Sequence, residues 1–380
     1  MKRLFALLLV FAMVLALTAC SGSKTEPPPA SSPTGGGDDG PGSHYIAYSL
    51  LGTDWILNYM EQRSAWAVRS SGNHRYDYYS ADFSADQMQS NTQSMINAGI
   101  EGLVFYPAFA TLTPTIFEMC EAAGVGIVTH DIPALDDEQF EIMMNSPVFA
   151  GFIASSSYEN GYSLGETAAR DGYKRALGIA NHVGDIGHEY RLRGFEKAFT
   201  ENGGIYLGEA RCANPGEAVQ KASDLLNAYP EADCFFSVTG AHTGGVLTAL
   251  ETYNRQDIMV YSIDLDSDLL PYVRAGTMVG NGGAVVATVL STALLINWLD
   301  GHPILDNGKP VYNDYDIRNI HVTAENADDF ERCVIKNEIL TEDVYRQFLW
   351  RYNPDVTYQT YVDFFKAYSL DYLLEMRGEK

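Results

Sequence analysis

Beyond residue 44 the apolar residues follow two rhythms. Short apolar runs at Tyr45–Tyr48, Tyr76–Tyr79, Gly102–Tyr106 and Val125–Thr129 alternate with longer stretches in which apolar residues return every three or four positions. The short runs read as strands, and the longer stretches as helices with one buried face. The spacing predicts a helix over about Trp55–Ser70, after a Leu51-Gly52-Thr53-Asp54 turn. A second opens at the capping sequence Ser84-Ala85-Asp86-Gln87 and turns Met88, Met95 and Ile96 toward the sheet. A third covers Pro114–Ala123 and stops at Gly124. The rhythm then repeats, with strands at Ala176–Ala180, Tyr206–Ala210, Cys234–Val238 and Met259–Ile263. The intervening helices run through Gly194–Phe199, Ala218–Ala228 and Gly245–Tyr253, and another covers Val285–Leu299. Strands alternating with helices of this length imply parallel sheets covered on both faces, and the repeat implies two similar lobes.

Before residue 44 the pattern is different. Lys2 and Arg3 precede an unbroken apolar run from Leu4 to Leu17. A spanning helix needs about 20 apolar residues, so this shorter run reads as a secretory leader. Its exit, Leu17-Thr18-Ala19-Cys20, resembles the bacterial lipobox, which implies removal of residues 1–19 and acylation of Cys20. Two kinds of acyl attachment on that cysteine would supply the two anchors that stable membrane attachment requires. Residues 20–43 carry Pro27-Pro28-Pro29 and Gly35-Gly36-Gly37 with almost nothing apolar, so they read as a disordered tether. At the other end, Val311–Val322 reads as extended. Acidic helices rich in Tyr and Phe come after it, such as Tyr361–Tyr368, and their aromatic spacing predicts packing against the body.

Charge and cysteine content narrow the function. The chain carries 49 acidic and 25 basic residues, a formal net charge of −24. Nucleic-acid binding needs clustered Lys and Arg, so that class is excluded. Apart from Cys20, the cysteines Cys120, Cys212, Cys234 and Cys333 are widely spaced and form no zinc pattern. Cys120 lies in a helical pattern and reads as a small buried hydrophobe; no disulfide is assigned.

Several stretches, in order, resemble the sugar-type periplasmic binding proteins of the type I fold. QMQSNTQSMINAGIEGLVFYP, from Gln87 to Pro107, is similar to that family's second helix and third strand. AAGVGIVTHDI, from Ala122 to Ile132, is similar to its fourth strand, which ends on a sugar-gripping aspartate. GFIASSSYENGYSLGE, from Gly151 to Glu166, resembles the crossover into the second lobe. RLRGF (Arg191–Phe195) and VYSIDLD (Val260–Asp266) match two further landmarks, the latter ending on a second aspartate of the site. The resemblance covers about residues 44–325. It departs at Thr239-Gly240, where the family often has Asn-Asp, and near Asn281, which sits among glycines.

The resemblance implies an α/β fold of two Rossmann-like lobes with parallel sheets joined by a hinge, plus a C-terminal helical extension. Residues 44–152 and 282–316 would form the N-terminal lobe, 153–281 and 317–323 the C-terminal lobe, and 324–380 the extension. In such folds ligands bind beyond the carboxyl ends of the strands. Carboxylates accept from hydroxyls, a guanidinium donates in a fixed fork, and aromatic faces cover an apolar ring face. The candidates at those ends are Asp131 and His130 after the fourth strand, Arg191 opening the helix after the first strand of the second lobe, and Asp264. Asp54 and Trp55 sit on the first loop, with Tyr106, Tyr158, His242 and Asn281 as further candidates.

Catalytic and metal patterns fail. The position four after His188 is Leu192, so His188-Glu189 opens no zinc helix. Asp264-Leu265-Asp266-Ser267-Asp268 is followed by Leu269 where a calcium loop needs glycine, and its twelfth position is Ala275. The Gly-rich Gly240–Gly245 stretch reads as a close backbone turn rather than an anion site. The expectation is therefore a non-enzymatic, cofactor-free, extracytoplasmic lipoprotein, held at the cell membrane only through its lipidated cysteine. It would capture a small polar ligand, a monosaccharide or related polyol, and deliver it to the permease of an ABC importer. A sensor subunit, for a sugar-derived autoinducer for example, and a nucleoside-binding protein are the alternatives. A cytosolic sugar-responsive repressor of the same fold is set aside by the leader and the lack of a DNA-binding headpiece.

Overall fold

The computed structural model describes residues 42–134, 136–183 and 185–380. The leader, Cys20 and the tether lie outside the described residues. Among the described residues no helix is long and apolar enough to cross a membrane.

Two sheets organise the chain. The first is built from β1 (Tyr45–Leu50), β2 (Arg75–Ser80), β3 (Gly102–Phe105), β4 (Gly126–His130) and β5 (Phe149–Ser155), with β11 (Leu305–Asp306) and β12 (Lys309–Ile317) returning to it late, in the order β11-β12-β5-β4-β3-β1-β2. The second holds β6 (Arg175–Asn181), β7 (Ile205–Cys212), β8 (Cys234–Ser237), β9 (Met259–Ile263), β10 (Met278–Gly282) and β13 (Ile320–Val322), ordered β13-β10-β9-β8-β6-β7. All pairs are parallel except the hairpin β11–β12 and the edge pair β10–β13. The chain passes between sheets three times: after Ser155, after Gly282 and after Ile317.

Helices connect the parallel strands. In the first lobe they are α1 (Trp55–Ser71), α2 (Ala85–Asn97), α3 (Thr113–Ala123) and α4 (Asp137–Asn145). Next come α5 (Ser157–Arg170), α6 (Ile186–Glu201), α7 (Ala218–Ala228), α8 (Gly240–Thr252), α9 (Leu270–Arg274) and α10 (Val286–Leu299). Local signals explain the ends. The Asp54 carboxylate accepts from Leu57 N at 2.8 Å to cap α1, and Ser84 accepts from Gln87 N to cap α2. Gly124 ends α3 in the left-handed conformation at φ 68°. Helix α10 is apolar on every side and is buried from Val286 to Asn297, as a helix enclosed between a sheet and other helices must be.

Three expectations needed revision. Helix α8 starts at Gly240, five residues before the predicted start, so the Gly-rich stretch is helical rather than a turn. Small residues there let the helix lie close to its neighbours: a Cβ at Gly245 would come 2.6 Å from that of Ala218. Met278–Gly282 is a strand, an element that its glycine-rich sequence did not lead us to expect. Arg191 does not open α6; it lies more than a turn in, and Asp185 is the cap.

Beyond Thr323 the chain is helical, with α11 (Ala327–Phe330), α12 (Glu342–Arg346), α13 (Tyr358–Ala367) and α14 (Leu370–Glu375). Its Phe330, Tyr345, Tyr361 and Leu373 are fully buried in the same apolar cluster as Ile46 of β1 and Leu294 of α10. Cys120, Cys212, Cys234 and Cys333 are buried and free, and burial pushes the Cys120 thiol up to about 12.

Candidate ligand-binding site

Strand register brings the proposed residues together. In the first sheet Ser49, Phe105 and Thr129 lie side by side, so β1, β3 and β4 end at one level. In the second sheet Ile179, Ser237 and Ser262 do the same for β6, β8 and β9. The residues just past each strand therefore collect at one sheet edge: Asp54 and Trp55, Tyr106 and Asp131 on the first lobe, and Asp185, Thr239 and Asp264 on the second.

The two strand-end aspartates share an unusual backbone. Asp131 has φ 67° and Asp264 has φ 65°, both in the left-handed region that non-glycine residues seldom occupy. A short polar side chain tolerates that region, and such local strain gathers at functional sites. In each lobe the bend turns a carboxylate out of the strand just where the sheet ends.

Arg191 is the positive centre. It is 6% exposed, and its Nη1 donates to Asp264 Oδ2 at 2.8 Å and to Val238 O at 3.0 Å. Burial opposes its charge, but Asp264, Asp131 and Asp185 keep it firmly protonated. Its Nε has no partner among the described residues. Helix packing fixes its position: α5 and α6 cross so closely that a Cβ at Gly161 would collide with the Arg191 carbonyl, and one at Gly194 with the Tyr158 carbonyl. Thr239 Oγ1 adds a weaker donation to Asp264 Oδ2 at 3.4 Å.

Asp131 faces this wall from the first lobe. Burial raises its carboxyl to about 6; Arg191 and the Tyr106 hydroxyl pull it down, while Asp264 and Asp185 push it up. Trp55 crosses between the lobes, since a Cβ at Gly240 would overlap the Asp264 carbonyl oxygen and come 3.0 Å from Trp55 Cζ2. The Trp55 Nε1 is buried without a partner among the described residues. Asp54 stands beside it with its carboxyl raised, chiefly by burial.

His242 lies on the second-lobe wall. It is fully buried, both ring nitrogens lack partners among the described residues, and its ring meets that of His188 edge-on at 6.4 Å. Burial lowers both imidazoles, His242 to about 4, so His242 is neutral at pH 7.

Three proposed residues stand elsewhere. His130 is fully buried beneath the site, its Nε2 2.9 Å from the Tyr48 hydroxyl and its Nδ1 3.3 Å from Thr288 Oγ1. It supports Tyr106, whose ring centre is 5.6 Å away. The Tyr158 ring packs along α5 against Tyr162, at 6.0 Å. Asn281 ties β10 to α5 and β13, donating to Ser163 Oγ at 2.9 Å and Asn160 O at 3.2 Å and lying 3.0 Å from His321 Nδ1.

Asp185 and His188 were missed. The Asp185 carboxylate caps α6 by accepting from His188 N at 3.2 Å, and it accepts from Asn181 Nδ2 at 2.9 Å. Burial works against its charge, but His188, Asn181 and Arg191 outweigh it and hold the carboxyl below the usual range. The signal was an aspartate at the start of a helix directly after β6, a capping position that also faces the cleft. Among the described residues no group of three or more His, Cys, Asp or Glu could hold a metal ion.

Two lobes of parallel sheet whose strand ends converge on one polar, partly aromatic cleft define a solute-binding architecture. Residues 45–289 match the family model described as periplasmic binding protein domain, and the chain belongs to that family. It is 20% identical over 274 residues to the ribose import binding protein RbsB of Bacillus subtilis (strain 168), covering 72% of this chain and 85% of that protein. Among solved structures, an ABC transporter solute-binding protein from Bacillus halodurans C-125 with bound myo-inositol superposes with a TM-score of 0.65 at 19% identity, covering 78% of this chain and 99% of that one. A periplasmic solute-binding protein from Actinobacillus succinogenes 130z with bound D-allose superposes with a TM-score of 0.67 at 18% identity, covering 76% and 100%.

Proposed function

We propose that this protein is an extracytoplasmic solute receptor. It captures a small polyhydroxylated ligand, a monosaccharide or cyclic polyol, between its lobes and presents it to the permease of an ABC importer, while a lipid on Cys20 holds it at the membrane. The observation that carries this reading is the meeting of Asp131, Tyr106 and Trp55 from one lobe with Arg191, Asp264 and Thr239 from the other. Carboxylates and a guanidinium around an indole face are the groups that grip hydroxyls and cover a ring. Ribose, myo-inositol and allose in the names of similar proteins point the same way. Closure of the lobes over a ligand that contacts both would shift the population toward the closed state.

A thermal-shift screen of pentoses, hexoses, inositols, sugar-derived autoinducer and nucleosides tests the reading. A true ligand at a hundred times its Kd stabilises by about 2.7 kcal/mol. The expected result is a sugar or polyol hit that Asp131→Ala and Arg191→Ala each abolish. A nucleoside hit alone, or no hit, overturns the ligand class. Metabolic labelling with a radioactive fatty acid tests the anchor: label lost in Cys20→Ala supports it, and a wild-type protein that takes up no label refutes it.

A further inference from the structure

After its three passages between the sheets, the chain crosses between the lobes once more. Strand β13 lies in the second sheet, and α11 follows it. There the second lobe holds the chain at two points. Arg274 of α9 donates to Asp328 Oδ1 at 2.7 Å and to Glu331 Oε2 at 2.6 Å. The Phe330 ring lies over Gly282 of β10, where a Cβ would come 2.6 Å from it. Three residues on from Glu331, the holder is the first lobe. The Tyr59 hydroxyl of α1 donates to Val334 O, and Arg63 Nη2 donates to Val334 O and Ile335 O at 3.4 Å each. Arg63 is buried and also pairs with Glu338. The passage lies beyond residues 45–289, the part of the chain that matches the family model.

An uncommon element makes this passage. Glu331–Lys336 is a π-helix, a rare form that occurs mostly as single turns and often at functional sites. Side chains from outside the segment hold its carbonyls. Arg332 O accepts from Asn337 Nδ2 at 2.8 Å and Cys333 O from Arg377 Nη2 at 3.1 Å, next to the carbonyls that Tyr59 and Arg63 hold. Wound at a rise of about 1.5 Å per residue, the three residues from Glu331 to Val334 cover about 4–5 Å. Drawn out, they reach about 10 Å. The anchors at both ends are made with the lobes shut, since a Cβ at Gly240 of the second lobe would come 3.0 Å from Trp55 Cζ2 of the first. Any rotation of one lobe against the other moves Arg274 relative to Tyr59 and Arg63. It therefore has to bend, unwind or release the π-turn. We infer that the C-terminal extension is a fourth interlobe connection, with Glu331–Lys336 as its hinge, and that it biases the lobes toward the shut arrangement. This bias does not depend on what the cleft binds.

Double electron–electron resonance on the full chain tests this without any ligand. Nitroxides at Tyr78→Cys on β2 and Val183→Cys after β6, both exposed positions, report the interlobe distance. Cys20→Ser in the same chain leaves only these two thiols and the four buried ones. The expected result for this reference is one narrow distribution. Tyr59→Phe with Arg63→Met releases the first-lobe anchor, and Arg274→Gln, at a partly exposed position, releases the ion pairs of the second lobe. Release at either end is expected to add distances at least about 5 Å longer, the slack of the unwound turn. A circular dichroism spectrum like the reference's shows that a variant is folded, and Arg274→Gln keeps the test decisive if loss of the buried Arg63 prevents folding. A reference distribution already as wide as the variants', or a narrow one that no folded variant widens, overturns the inference. Either result leaves the proposed function standing, because that reading rests on the cleft and not on the extension.

Discussion

Asp131 concentrates a conflict between stability and binding. Its carboxyl is raised to about 6 by burial and by two other carboxylates, while an unfolded chain would hold it near the ordinary value of 3.8. A folded-state pKa above the unfolded one means that the folded state prefers the protonated form. The associated stability is therefore complete below the unfolded value and is lost as pH rises through about 6. At pH 8 the ligand-free protein bears an ionised carboxylate in a site whose burial and neighbouring carboxylates disfavour its charge, and it would be more stable without it. Asp131→Asn is expected to raise the melting temperature at pH 8, by the equivalent of about 1–2 kcal/mol after allowance for solvent screening, and to leave it unchanged at pH 4. The same substitution should abolish high-affinity binding. Equal melting temperatures at both pH values would show that the carboxylate is solvated rather than strained. The position of Asp131 was legible in the sequence because a strand that ends in an aspartate before Ile132-Pro133 has one place to send it. That Arg191 bonds Asp264 was not legible, since the contact joins residues 73 apart in sequence.

At the scale of elements, the pairing of α5 with α6 sets the geometry of Arg191. The helices approach at Gly161 and Gly194, where each backbone lies against the other's carbonyl oxygen. A methyl group at either position would push the helices apart through backbone, which has no rotamer to yield. Gly161→Ala is expected to cost about 1–3 kcal/mol, as overpacking does. It should also weaken ligand binding at least tenfold by moving the guanidinium out of line with Asp264 and Val238 O. Gly216→Ala, near Asn214 on the surface, is the control, expected to alter neither. An unchanged Kd for Gly161→Ala would mean that Arg191 is positioned by its own hydrogen bonds and not by helix contact. The α5–α6 glycines were visible in the sequence, inside the stretches that carried the family resemblance, but their meeting was not. Local pattern gave β1–β4, β6–β9 and most helices because burial on one face leaves a period. It misjudged α8 and β10 because glycine weakens both signals, and in these elements close packing, not propensity, decides.

For the whole molecule, the chain after Thr323 acts on both lobes at once. On the first it reaches α1, where the Tyr59 hydroxyl donates to Val334 O, Arg63 pairs with Glu338, and the Trp66 ring lies 5.2 Å from that of Tyr345. It also pairs Arg351 with the fully buried carboxylate of Asp300. On the second it holds Arg274 through Asp328 and Glu331. The Tyr368 hydroxyl donates to Gly283 O at 2.7 Å, on the segment where the chain crosses from β10 to α10. These aromatic helices were legible as packed helices from their spacing, but the partners of the C-terminal segment lie as far as 309 residues away in sequence and left no local trace. The buried attachments favour the first lobe. Asn297, in the middle of α10, donates from Nδ2 to Phe348 O at 2.8 Å and accepts from Trp350 N at 2.7 Å, all within an apolar surround. Removing that side chain strands the Trp350 N–H and weakens the pairing of the Phe348 carbonyl, which keeps the Tyr361 hydroxyl at 3.0 Å. Asn297→Ala is therefore expected to destabilise the whole fold by about 1–3 kcal/mol, one part-buried unsatisfied donor plus a lost hydrogen bond. Denaturation should stay a single transition, because the extension shares its core with β1 and α10. A chain ending at Thr323 should fail to reach a soluble folded state for the same reason. A separate early transition in Asn297→Ala, or a truncated chain that melts like the intact protein, would show instead that the extension is an appendage resting on a body complete without it.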